Sequence, residues 1–107
     1  MAEPAIRKTT TELRDYVIAE GHLDDFVRAW RQGVVPLRQR YGFGIDGAWL
    51  IRAERRFVWV VSLDGDEAEF ERQNRAYYAS PARETLDPDP AHWIEAETSA
   101  FAEPALP

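Results

Sequence analysis

Apolar side chains recur at helical spacing in the first half of the chain. Leu23, Phe26, Val27, Trp30, Val34, Leu37 and Tyr41 are separated by 3, 1, 3, 4, 3 and 4 positions, the stripe of an α-helix with one buried face. Asp24 and Asp25 fall in its first turn, Arg38 and Arg40 in its last, and Gly42 follows at the end. That charge order suits the helix dipole. Pro36 interrupts the pattern. It lacks an N–H and its ring crowds the preceding turn, which costs about 3 kcal/mol in a regular helix. Because Leu37 and Tyr41 stay on the stripe, the spacing predicts a kink near Gly33 rather than a break.

Strand-like segments flank this helix. Glu12–Ile18 reads as a first strand, Phe43–Arg52 as a second and Phe57–Leu63 as a third, the last two joined by the short connection AERR. Asp64 stands three residues before Glu67, the spacing of a capping box, and Leu63 with Ala68 can form a hydrophobic staple. The second helix that starts there carries Phe70, Asn74, Tyr77 and Tyr78 on one side and should end near Ser80-Pro81. LDPDP is a loop, and Trp93–Phe101 alternates as a last strand. Residues 1–8 and the terminal EPALP read as flexible tails around an ordered core of about residues 9–103, within a single domain of 107 residues. The order β-α-β-β-α-β is the ferredoxin-like, α+β arrangement: a four-stranded antiparallel sheet with two helices on one face.

Two helices cover only one face of such a sheet, so the other should turn polar if water wets it. The third strand does not alternate in that way. Phe57, Trp59, Val61 and Leu63 point to one side, Val58, Val60 and Ser62 to the other, and of these only Ser62 is polar. In the second strand Phe43, Ile45 and Trp49 read as one face, Ala48 and Leu50 as the other. Each fully buried Val, Leu or Phe is worth about 1.5–3 kcal/mol, so both faces should be covered. A second copy packed sheet to sheet supplies the cover, and the expected form is a homodimer enclosing a barrel-like core.

Composition narrows the chemistry. A net charge of −6 repels nucleic-acid phosphates, and RAERR and RQRYG are too short to reverse it, so no nucleic-acid partner is expected. The chain has no cysteine, which removes disulfides, thiolate metal sites and a cysteine nucleophile. The longest unbroken apolar run, Phe57–Val61, is far short of the roughly 20 residues a membrane span needs. With no signal-like start, the expectation is a cytoplasmic protein without a membrane partner. Phosphate loops, dinucleotide fingerprints and nucleophile elbows are absent from the sequence.

The stretches ELRDYVIAEGHLDDFVRAW, VVPLRQRYGFGIDGAWL, FVWVVSL and AYYASP resemble the NIPSNAP family of the dimeric α+β barrel superfamily, over about Glu12 to Pro104. The resemblance implies a ferredoxin-like protomer that pairs through its sheet. It implies little about chemistry, because the superfamily spans cofactor-free monooxygenases, haem-degrading enzymes, lactone isomerases and proteins of no known activity. No catalytic motif is carried over.

The residues themselves offer several candidates. Glu12, Arg14 and Tyr16 share one face of the first strand, and Glu95 and Glu97 share a face of the last. Arg14 paired to Glu95 or Glu97 is either a cross-strand ion pair worth roughly 0.2–1 kcal/mol or a polar corner of a cavity. In the second case Arg14 would hold an anionic or enolic oxygen and a carboxylate would act as base. Trp49, Trp59, Asn74, Tyr77 and Tyr78 are either core or the wall of a pocket for a small aromatic or acidic ligand. His22 reads as a helix-start surface residue, and His92 as a loop residue or a group at a pocket mouth. Two histidines 70 positions apart make no metal site, so no metal and no cofactor is expected. The functional expectation is a small-molecule-binding protein, in one form a cofactor-free monooxygenase or isomerase. A haem-binding or haem-degrading protein, with His92 toward the iron, and a non-catalytic interaction protein stand as alternatives. Whether the chain is an enzyme is left open by its residues.

Overall fold

The structure, a computed structural model, describes residues 8–106, so residues 1–7 of the expected N-terminal tail and Pro107 lie outside it. Four strands, β1 (Thr9–Ile18), β2 (Gly44–Ile51), β3 (Arg56–Asp64) and β4 (Ile94–Ala102), form one sheet in the order β2-β3-β1-β4. Every neighbouring pair is antiparallel. With the helices between β1 and β2 and between β3 and β4, this is the ferredoxin-like α+β arrangement the sequence predicts.

The first helical region contains α1 (Leu23–Ala29) and α2 (Val35–Arg40). The interruption expected near Gly33 takes the form of a π-helical turn, Trp30–Val34, in which the Val35 N–H reaches back to the Trp30 carbonyl. Pro36 then falls in the first turn of α2, where a proline is tolerated. Such π turns widen the helix by one residue and re-aim the side chains they carry. Gly33 lies in the turn because Leu86 packs against it: a Cβ there would stand 2.8 Å from the Leu86 side chain. The third helix, α3 (Glu67–Ala79), starts later than its capping signal suggested. Asp66, not Asp64, is the N-cap, and its carboxylate accepts the Glu69 N–H at 2.8 Å. Ser80 ends α3 and caps α4 (Pro81–Glu84), and Pro90–Trp93, expected in part as strand, forms a 3-10 turn before β4.

The helix side of the sheet holds the core. Phe57, Trp59 and Val61 of β3 and Tyr16 and Ile18 of β1 meet Phe26, Trp30, Val34 and Leu37 from the first helical region and Phe70 and Tyr77 from α3. Rings dominate it, mostly edge to face, as in Trp30–Phe57 (4.9 Å) and Phe26–Phe57 (5.0 Å).

The reading of β2 needs a correction. Its register against β3 shifts between Ile45 and Gly47, so Asp46 is an extra residue. Such a bulge reverses the facing of the later residues in the strand. Ile45 pairs with Val61 of the helix side, but Trp49 pairs with Val58 on the open side. Trp49 is 56% exposed there, its ring lying over Gly47, where an added Cβ would collide with it.

Candidate functional site

The sequence alternation of β1 sends Glu12, Arg14 and Tyr16 under the helices, opposite Val61, Trp59 and Phe57 of β3. Arg14 is therefore buried, 8% exposed, with its guanidinium 5.5 Å from the centre of the Trp59 ring. Its expected pairing with Glu95 or Glu97 is not made. Register places Arg14 opposite Ser99 and Glu97 opposite Tyr16, while Glu95 meets Arg55 at 3.4 Å. The carboxylate on Arg14 is Glu12, two residues away on the same face, which accepts from its Nε.

A second arginine joins it, one that sequence reasoning assigned only to the helix dipole. Arg38 of α2 is 1% exposed. Its Nη1 donates to Asn74 Oδ1 at 2.8 Å and its Nη2 to the Tyr78 hydroxyl at 3.2 Å. Arg14 donates to the same two oxygens, at 3.3 Å and 2.9 Å. Asn74 and Tyr78, one turn apart on α3, thus bridge two guanidiniums. Arg38 also lies 3.9 Å from the centre of the Tyr77 ring and 4.7 Å from that of Phe43. A cation over an aromatic face is favourable, the more so when desolvated. The signal that could have found Arg38 is its place one residue past Leu37, on the edge of the apolar stripe, where a charged side chain must point inward or snorkel.

The two arginines differ in compensation. For Arg14, burial works against the charge, but Tyr16, Tyr78 and Glu12 outweigh it and hold its proton more tightly than usual. For Arg38, burial and then repulsion from Arg14 lower its pKa. Among the described residues no carboxylate lies within ion-pair distance of Arg38. Guanidinium stays charged in proteins nonetheless, so a positive charge without a counter-ion is held in the core. Burial likewise raises the pKa of Tyr16 and of Tyr77, against the pull of Arg14 on the first and of Arg38 and Arg83 on the second.

These groups border a cavity of about 530 Å³ between sheet and helices. Of the candidate residues, Arg14, Tyr16, Trp59, Tyr77 and Tyr78 line it, together with Arg38, Phe26 and the π-turn residues Trp30 and Val34. Arg83, Pro90, Ala91, Ile94, Glu97 and Ser99 complete the lining, and the exposed Ala91, Glu97 and Ser99 mark where it opens. Arg83 is tied to Asp89 at 3.0 Å, and Asp89 also accepts the Ala91 N–H at 3.0 Å, which fixes the turn carrying Pro90 and Ala91 beside the opening. Glu12 and Asn74 support the site through the arginines. Trp49 does not reach it, being on the opposite face. His92 is exposed on the 3-10 turn and is not part of the lining. His22 stacks on Trp93 at 5.5 Å and its Nδ1 meets Asp25 at 3.2 Å. Among the described residues no three His, Cys, Asp or Glu side chains converge as a metal site would require.

A protomer with this topology and a hollow between helices and sheet is of the ferredoxin-like class to which the NIPSNAP and antibiotic-monooxygenase structures belong. The chain superposes on a NIPSNAP domain protein from Burkholderia xenovorans with a TM-score of 0.77 at 20% identity, over 90% of this chain and 94% of that one. A NIPSNAP family protein from Agrobacterium tumefaciens gives 0.79 at 12% identity, over 91% and 93%. A putative antibiotic biosynthesis monooxygenase from Nitrosomonas europaea gives 0.68 at 12%, over 98% of each chain. No family model and no curated protein matches the sequence. The resemblance to NIPSNAP proteins therefore holds at the level of the fold.

Proposed function

We propose that the protein binds a small organic molecule in the cavity between its helices and its sheet, and that it works as a homodimer paired through the open sheet face. One observation carries the first part. A hollow of about 530 Å³ walled by aromatic rings, with a few convergent polar groups, has the size and make-up of a small-molecule site. An interaction protein needs no such hollow. Haem degradation with His92 facing the iron finds no support in the geometry, since neither His92 nor His22 lines the cavity. The name of the Nitrosomonas europaea neighbour, a putative monooxygenase, suggests an oxygenase as the enzymatic form of this reading. Against a general-base role, Glu12 is engaged by Arg14, and Glu97 is exposed at the rim. Binding is thus better supported than catalysis.

Dimerisation rests on the open face. Gly47, Val60, Leu13 and Ala100 form a row across all four strands without a charged or hydrogen-bonding side chain, and Leu13 and Trp49 are 40% and 56% exposed in the single chain. An apolar row with Trp49 exposed beside it is what a partner sheet covers.

The test is a thermal-shift screen with drug-sized aromatic compounds, run on the parent and on Ala91→Phe, which plugs the mouth without touching the core. Stabilising compounds are expected for the parent and not for the plugged variant. Compounds that stabilise both equally would place the ligand elsewhere and overturn the cavity reading.

A further inference from the structure

Five buried side-chain polar atoms among the described residues lack a hydrogen-bond partner: Trp30 Nε1, Arg38 Nε, Trp59 Nε1, Tyr77 Oη and Arg83 Nε. All five belong to residues that line the cavity between helices and sheet. Trp59 lies close enough to Tyr16, and Arg83 to Tyr77, to ease ionisation of those hydroxyls, but neither contact has hydrogen-bond geometry. Buried polar groups are normally satisfied, so a cluster of exceptions in one place calls for a cause. Four of the five are N–H groups that can only donate, and the tyrosine hydroxyl can donate as well. What they lack is an acceptor.

Charge points the same way. Of the three arginines around the cavity, Arg14 has Glu12 and Arg83 has Asp89. Among the described residues Arg38 has only the neutral oxygens of Asn74 and Tyr78, which Arg14 also serves. A buried charge of this kind is costly unless an opposite charge joins it.

We infer that the ligand is a planar aromatic acid whose carboxylate binds Arg38, with its rings among Trp30, Trp59, Tyr16 and Tyr77. The inference rests on the cavity reading and sharpens it, from any small molecule to an anion, and from Arg14 to Arg38 as the anchor. Arg14 then acts as a positioning residue: engaged by Glu12, it holds Asn74 and Tyr78 in place for Arg38.

The experiment is calorimetric titration with aryl carboxylates of one to three fused rings, each paired with its primary amide, which matches its shape without its charge. In the parent, at least one acid is expected to bind about tenfold or more tightly than its amide, the range of a lost charge-assisted hydrogen bond. In Arg38→Met that preference should vanish while the amide still binds, and Arg38→Lys should restore part of it. Equal binding of acid and amide in the parent would overturn the anion inference and leave the cavity reading standing. Binding of neither would remove both. An acid preference unchanged in Arg38→Met would move the anchor to another cation. The acid-to-amide comparison needs no variant, so the inference stays testable even if Arg38→Met fails to fold.

Discussion

Two rows cross the whole sheet one residue apart. On the helix side run Ala48, Trp59, Arg14 and Ser99; on the open side run Gly47, Val60, Leu13 and Ala100. The first row carries a guanidinium and an indole buried beneath the helices, between exposed Ala48 and Ser99 at its ends; the second carries only hydrogens and alkyl groups, with no helix above it. The usual order, apolar inside and polar outside, is reversed at these positions. Each reversal has a different remedy. On the helix side α3 supplies oxygens from Asn74 and Tyr78, so charge can be kept in a hollow and used. On the open side the polar groups, such as Asp15 paired with Arg56, lie outside the row, and another apolar surface is what removes the row itself from water.

The largest effect should come from charging the open row. Leu13→Glu combined with Val60→Glu places carboxylates in the middle of the proposed interface, where each is costly to desolvate. By light scattering the parent should have close to twice the single-chain mass of 12.3 kDa, and the double variant about 12.3 kDa. Far-UV circular dichroism should be unchanged, since neither side chain faces the helices. A variant that keeps the parent's mass would show that the open row is not where copies meet.

Next come the two tryptophans that the sequence placed together as one aromatic set. Trp59, 1% exposed, packs on Trp30 at 5.5 Å and borders the cavity; Trp49 lies on the open face. Trp59→Ala should cost about 3–5 kcal/mol in urea unfolding. Trp49→Ala should cost the isolated protomer less than about 1 kcal/mol and act chiefly on dimer affinity. Equal losses in a monomeric background would erase the distinction between the faces.

That distinction shows how far the sequence could be read. The order of elements, the helical stripe and the β1 face carrying Glu12, Arg14 and Tyr16 were legible, because each follows from a period of 3.6 or 2. Trp49 was misplaced because the bulge at Asp46 changes the count by one residue, and a bulge leaves no mark in a hydrophobic pattern. The partner of Arg14 was missed for a related reason. Strand adjacency was right, but register decides which carboxylate is opposite, and register is set by contacts far apart in sequence. Arg38 was read as a helix-end cation because its role depends on α3, 36 residues away, presenting Asn74 to it. Local rules locate a charge on a helix; only the tertiary fold tells whether it is solvated.

The two arginines should separate under mutation. Arg14→Met leaves Glu12 without its cation, with its side chain 13% exposed, and should cost about 3 kcal/mol, the lower end for breaking a largely buried pair. Arg38→Met removes a charge that no carboxylate among the described residues balances, and Asn74 and Tyr78 keep a donor in Arg14. Without ligand, its stability should match or exceed the parent's, by up to about 1 kcal/mol. Thermal and urea unfolding of both variants check this. A loss for Arg38→Met as large as for Arg14→Met would mean that its contacts with Tyr77 and Phe43 outweigh its desolvation.

The smallest effect is expected at the mouth, through pH. Asp89 is partly buried, which alone would raise its pKa, but the hydrogen bond from Arg83, the Ala91 N–H and the Arg83 charge bring it below the usual carboxylate value. A group whose pKa is lower folded than unfolded adds stability above its unfolded value, near 3.9, and loses that stability as pH falls through the folded value. The melting temperature should therefore be insensitive to this group at neutral pH and fall below about pH 4. Asp15, whose pKa is lowered by its hydrogen bond to Arg56, declines in the same window, so the parent alone cannot isolate Asp89. Asp89→Asn can. It should cost up to about 1 kcal/mol at pH 7, the worth of one well-placed ion pair near the surface, and less as the pH falls below 4. Because Asp89 ties Arg83 to the turn carrying Ala91, the same variant should release a bound ligand faster at pH 7 without losing the Arg38 anchor. Ligand dissociation faster in Asp89→Asn than in the parent at pH 7 would support a turn fastened by this one carboxylate. Equal dissociation at pH 7 would show that the turn holds without it.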